Sequence, residues 1–128
     1  MLIKSNKIIS PVTKEDLGDK SPWLTKGKEY VVLALNISTK GGIEVCIQTD
    51  HYNEPHYITL DGFEIINQRM PFSWITVSKD LGDENIIDML PQSWAYDGFF
   101  GQLDDENPEA IALFNKEAEI IYREEGKV

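Results

Sequence analysis

From Glu29 to Ser38 apolar residues fill both faces of an alternating stretch. Val31, Leu33, Leu35 and Ile37 fall on one face, and Tyr30, Val32 and Ala34 fall on the other. This predicts one long, well-buried strand. Lys40-Gly41-Gly42 supplies the backbone freedom of a tight turn. Ile43, Val45 and Ile47 then alternate with Glu44, Cys46 and Gln48 in a second strand. Asp50 to Pro55 reads as a polar loop. His56 to Leu60 reads as a third strand closed by Asp61-Gly62, and Phe63 to Ile66 and Trp74 to Ser78 follow as further short strands. Leu2 to Ile9 reads as an opening strand. It is separated from the rest by a loop from Ser10 to Pro22 that holds two prolines and Gly18. Short strands at close spacing predict a mainly β (α+β) fold: a small antiparallel barrel of about five to six strands.

The pattern changes near the C-terminus. Asn107-Pro108-Glu109 has the chemistry of a helix start: a capping side chain, proline at the first helical position, and an acid at the positive end of the helix dipole. Ile111, Phe114, Ala118 and Ile121 share one helical stripe, Arg123 falls in the last turn, and Gly126 suits the residue just past the end. Ser93 to Gly101 is an aromatic-rich short helix or turn. A length of 128 residues predicts a single domain, 1–128, with the barrel at about 1–78 and an acidic-aromatic segment plus helix at about 79–125.

Charge alters this picture. The chain holds 22 acidic and 12 basic residues, a net charge of −10. Residues 78–128 carry 13 of the acids and only 4 of the bases, and Asp80 to Glu109 holds nine acids with no Lys or Arg. Such a surface repels nucleic acid and anionic lipid and suits a cationic protein. Trp94, Tyr96, Phe99 and Phe100 lie in the same stretch. Two readings stand: a solvated face over core aromatics, or a partner site in which aromatics anchor and acids steer. The second makes Asp80, Asp83, Glu84, Asp88, Asp97, Asp104, Asp105, Glu106, Trp94, Tyr96, Phe99 and Phe100 the candidate contacts, with Asp50 and Glu54 from the earlier loop. The oligomeric state is not legible.

Other chemistry is thin. His51, Glu54 and His56 lie close in sequence, but their spacing matches no closed zinc signature. Cys46 is the only cysteine and sits among strand residues, which excludes an intrachain disulfide and favours a packed thiol. Neither Asp80-Leu81-Gly82-Asp83-Glu84-Asn85 nor Asp104 to Asn107 has the ligand ladder of a calcium loop, and Thr25-Lys26-Gly27-Lys28 lacks a phosphate-loop framework. Lys14 to Asp19 and Lys79 to Asp83 echo one another, as turn chemistry recurs. The expectation is a binding protein without catalytic residues, metal or cofactor. With no apolar leader and no run near the ~18 residues of a membrane span, it is expected in the cytoplasm.

Leu24-Thr25-Lys26-Gly27-Lys28-Glu29-Tyr30-Val31-Val32-Leu33 resembles the opening of small SH3-like barrels in bacterial and phage proteins, and Phe63-Glu64-Ile65-Ile66 resembles their closing strand. Gly98-Phe99-Phe100, Asp104-Asp105-Glu106 and Pro108-Glu109-Ala110 are similar to segments of small acidic immunity proteins from bacterial toxin systems, contact-dependent growth inhibition among them. The resemblance implies an SH3-like barrel with a C-terminal helix. It also implies stoichiometric neutralisation of a cognate toxin with a basic active-site surface, a nuclease being the favoured kind. It carries over no contact residue. The alternative is a small-barrel interaction module of phage or mobile-element origin, or a DNA mimic.

Overall fold

The computed structural model describes residues 1–10, 12–19 and 21–127. Its strands are β1 (Leu2–Ser5), β2 (Glu29–Val31), β3 (Ala34–Ser38), β4 (Gly42–Gln48), β5 (Pro55–Thr59), β6 (Phe63–Asn67), β7 (Trp74–Asp80) and β8 (Asn85–Pro91). A 3₁₀ turn at Gln92–Trp94, helix α1 (Phe99–Asp104) and helix α2 (Pro108–Glu124) complete the chain. The strands form two antiparallel sheets, ordered β2-β1-β6 and β5-β4-β3-β8-β7. The fold is therefore mainly β with a C-terminal helix, as the alternation predicts. The strand count is higher than the expected five to six, and the sheets do not close into a barrel.

The predicted strand from Glu29 to Ser38 is two strands in different sheets. The Val32 amide donates to the Met1 carbonyl at 2.9 Å, on the three-stranded side. The next amide, Leu33, donates to the Cys46 carbonyl at 2.8 Å, on the five-stranded side. The chain thus changes sheets between consecutive residues, and the side-chain alternation slips there. Val31, Leu33 and Ala34 join one core cluster, while Tyr30, Val32 and Leu35 join the other. Val31 and Leu33 therefore do not share a face with Leu35 and Ile37. A bend of this kind is how one strand serves two sheets packed across each other.

The strand missing from the sequence reading is β8. It lies between β3 and β7 in the five-stranded sheet, so the sheet runs past Ser78 to Pro91. Its Ile86-Ile87 and Met89-Leu90 pairs break any alternation; Met89 and Leu90 serve the two cores on opposite faces, while Ile87 is exposed.

One face of the five-stranded sheet packs Leu35, Val45 and Ile47 against Ile3 and Tyr30 of the smaller sheet. Its other face packs Leu33, Ala34, Cys46 and Leu90 against Trp94, Phe99 and the inner side of α2. Helix α2 begins as predicted: the Asn107 side chain accepts from the amides of Glu109 (2.9 Å) and Ala110 (3.2 Å), with Pro108 in the first turn. Its end is a Schellman motif around Gly126 (φ 68°), with the Gly126 amide on the Arg123 carbonyl and the Lys127 amide on that of Tyr122. Its buried residues are Ala110, Phe114, Ala118 and Ile121; Ile111, on the predicted stripe, is only half-buried. Phe114 and Phe99 stack on the two sides of Trp94, at 5.0 and 5.4 Å between ring centres.

Phe114→Ala removes one plate of this stack and opens a cavity beneath the helix. The expected loss is about 3–5 kcal/mol in urea unfolding, and a loss under about 1 kcal/mol would show the helix to be peripheral. Gly62 (φ 87°) is equally constrained, because an added Cβ would lie 2.5 Å from the Lys7 carbonyl oxygen. Gly62→Ala is expected to lower stability by about 1–3 kcal/mol, whereas Gly82→Ala, with open space around its Cβ, is expected to lose less by the same measurement.

Candidate functional site

Strand register builds the floor of the candidate site. In the five-stranded sheet Thr59 faces Glu44, Glu44 faces Asn36, Asn36 faces Asp88, and Asp88 faces Val77. Directly paired residues project to one side, so these five form a single row on the helix side. The neighbouring row contains Tyr57, Cys46 and Ala34, also in register. The helical layer covers that apolar row and stops short of the polar one. The result is a groove of about 490 Å³, with Asn36, Glu44 and Asp88 on its floor, Tyr57 at its covered side, and Tyr96, Asp97 and Phe100 on the wall above.

The wall is shaped by a tight segment. The Ala95 amide returns to the Gln92 carbonyl, and Gly98 takes a left-handed conformation (φ 86°) immediately before α1. Phe99 then enters the core, while Phe100 is half-buried and meets Tyr57 edge-on at 5.4 Å. Tyr96 stays 42% exposed, its hydroxyl bonded to Gln102 Oε1 at 3.0 Å. Trp94 anchors the wall from beneath, donating its indole N–H to the Leu113 carbonyl of α2 at 3.2 Å.

The electrostatics of the groove follow from its acids. Among the described residues, Glu44, Asp88 and Asp97 have no basic partner within ion-pair distance. Asp88 Oδ1 accepts from the Asn36 side-chain amide, a neutral partner, at 2.7 Å. Among the described residues, Lys79 is the one cation lining the groove. Burial pushes the Tyr57 hydroxyl pKa well above its ordinary value, and the negative charges of Asp88 and Glu44 add to this. Tyr57 therefore stays a neutral hydroxyl. Burial also pushes the Cys46 thiol, in the covered row beside the floor, up to about 12. It stays protonated and enclosed, which removes it as a nucleophile.

The structure brings together part of the predicted contact set. Asp88, Tyr96, Asp97 and Phe100 line the groove. Trp94 and Phe99 border it from the core, each only 1% exposed, so neither is a free anchor for a partner. Asp80, Asp83 and Glu84 lie at the β7–β8 turn, where Asp83 pairs with Lys40 at 2.6 Å. Asp104, Asp105 and Glu106 form the exposed corner between α1 and α2. Neither group lines the groove. Glu44, Asn36, Tyr57 and Lys79 were not among the predicted contacts. For Glu44 and Asn36 one signal was present: a three-residue turn, Thr39-Lys40-Gly41, places Glu44 opposite Asn36, the polar residue inside an apolar strand.

Asp50 and Glu54 lie in the β4–β5 loop, away from the groove. Asp50 is a staple: its carboxylate accepts from Thr25 Oγ1 (2.6 Å), Lys28 Nζ (2.5 Å) and Tyr30 OH (2.9 Å). Glu54 reaches His56 at 3.4 Å, and Trp23 packs between His51 and His56, at 4.7 and 5.2 Å between ring centres. Among the described residues, no group of three His, Cys, Asp or Glu side chains is placed to hold a metal ion. No helix among them is long and apolar enough to cross a membrane. No protein-family model, curated protein or solved structure matches the chain.

The Asp50 staple carries a pH dependence. Burial raises its carboxyl pKa, but hydrogen bonds from Lys28, Thr25 and Tyr30, with the charge of Lys28, outweigh this and hold it below the ordinary value. A lowered folded-state pKa stabilises the fold above the unfolded value of about 3.9, and that contribution is lost as pH falls through the folded value. Asp50→Asn is expected to lower the urea midpoint at neutral pH, with the gap to wild type narrowing below about pH 4. An equal gap at neutral pH and at about pH 2 would show that its charge is not what matters.

Proposed function

We propose that this chain is an immunity protein that binds and neutralises a cognate protein toxin, with the groove as the centre of the contact. The observation that carries this reading is the convergence of three carboxylates without basic partners, Glu44, Asp88 and Asp97, with the aromatic rims of Tyr57, Tyr96 and Phe100. A cationic side chain entering there gains charge partners and ring faces together. The remaining acids, at the β7–β8 turn and the α1–α2 corner, would extend a negative field around the docking face and speed encounter without setting the final fit. A nuclease is the favoured target class, because a cleft that holds phosphates must itself be cationic. The role is stoichiometric, not catalytic, and the setting is the cytoplasm, where the target's active surface would be met. The strand shared by two sheets and the resembling segments at Leu24 to Leu33 and Phe63 to Ile66 support the fold as an opened relative of the SH3-like barrel.

The test uses the protein encoded beside this chain's gene, carrying an inactivating substitution, in binding kinetics at low and high salt. Substituting Glu44→Gln, Asp88→Asn and Asp97→Asn together is expected to weaken affinity about 100-fold, mainly through faster dissociation. Substituting Asp104→Asn, Asp105→Asn and Glu106→Gln together is expected to slow association by a factor of about 3–10, with the defect shrinking as salt rises. Wild-type binding by the folded groove variant would sink the proposed docking centre, and absence of any complex would sink the immunity reading.

A further inference from the structure

We propose that the groove is a guanidinium receptor, built to take one arginine side chain of the basic partner in preference to a lysine. This rests on the reading of the groove as the docking centre and names the group that fills it.

The first argument is the shape of the acceptor set. Glu44, Asn36 and Asp88 stand side by side on three adjacent strands, β4, β3 and β8. Adjacent strands lie about 4.8 Å apart, so the two carboxylates originate roughly 10 Å from each other. The Asn36 amide nitrogen donates to Asp88 Oδ1, and its carbonyl oxygen adds a further acceptor on the strand between the two carboxylates. The floor therefore offers a line of oxygens spread over several ångströms. A lysine ammonium is a compact point charge and meets one end of such a line. A guanidinium carries five N–H donors in a rigid plane and reaches acceptors on two sides.

The second argument is the walls. Tyr57 and Phe100 meet edge-on at 5.4 Å, and Tyr96 stands half-open at the rim. They give the groove flat ring surfaces beside its acceptors. A guanidinium stacks on such faces and sheds its water more readily than an ammonium does. Charge in the groove is also left unneutralised: among the described residues no cation lies within ion-pair distance of Glu44, Asp88 or Asp97, as at other surface acids, and Lys79 lines the groove without pairing with any of the three.

The probes are L-argininamide and L-lysinamide, which carry equal charge, titrated into the intact chain while backbone amide shifts are followed by NMR. L-argininamide is expected to give saturable shifts at Asn36, Glu44, Asp88 and Ala95 to Gly101. L-lysinamide is expected to bind at least about fivefold more weakly. Glu44→Gln and Asp97→Asn, both at exposed positions, are each expected to weaken L-argininamide at least about threefold, while Asp104→Asn leaves it unchanged. Equal affinity for the two amides, shifts scattered over all the surface acids, or no saturation would overturn the guanidinium assignment. Toxin binding that depends on the groove while L-argininamide fails would remove this inference and leave the docking centre standing. Selective L-argininamide binding with no effect of the groove substitutions on a toxin complex would remove the groove as the toxin-docking centre and leave the receptor.

Discussion

The architecture depends on one peptide unit. Between Val32 and Leu33 the chain stops hydrogen bonding to Met1 and starts hydrogen bonding to Cys46, and both side chains there are fully buried. Because the two sheets share this bend, they are held face to face without a closing ladder. Because the alternation slips at the bend, β3 presents Leu35 to the sheet–sheet core and Ala34 to the helical layer. A polar group at Val32, Leu33 or Ala34 would be buried without its solvent, which explains why an unbroken apolar run occupies this corner.

The groove is a consequence of mismatch between two lengths. The rows of the five-stranded sheet extend beyond the helices that cover it. The row under cover is apolar, with Cys46 and Ala34 opposite each other, and the next row outward is Glu44, Asn36 and Asp88. The change from apolar to polar over two residues along each strand marks where the helical layer ends. The stack of Phe99, Trp94 and Phe114 fixes that edge, and the Trp94 bond to Leu113 locks the wall segment to α2. The aromatic content of the acidic stretch therefore divides its labour. Trp94 and Phe99 hold the wall in position, and Tyr96 and Phe100 present its surface.

Much of this was legible in the residues, for local reasons. The α2 cap at Asn107, the Gly126 terminus, the β3–β4 turn and the β5 and β6 strands follow from turn and capping chemistry that acts over a few positions. What could not be read was non-local. The sheet switch at Val32-Leu33 looks like continuous alternation because both sides of the bend are buried. Strand β8 lacks alternation because Met89 and Leu90 serve the two cores on opposite faces. The contiguous acids from Asp80 to Glu109 looked like one surface, yet a hairpin turn, a groove wall and a helix corner divide them among separate places. Asp50 seemed free because its three donors, Thr25, Lys28 and Tyr30, lie more than 19 residues away in sequence. Glu44 was invisible for the opposite reason: nothing but the fold brings it beside Asp88.

The position of Cys46 has a further consequence. It is the only thiol in the chain, and it lies in the row beside the groove floor, against the helical layer and clear of the sheet–sheet core. An alkylating reagent reaches it only when that layer lifts. The rate of its labelling under native conditions is therefore a clock for partial opening, separable from complete unfolding because the smaller sheet packs on the other face. A molecule seated in the groove would slow the clock, and the size of the slowing would give the coupling between occupancy and the mobility of the layer above.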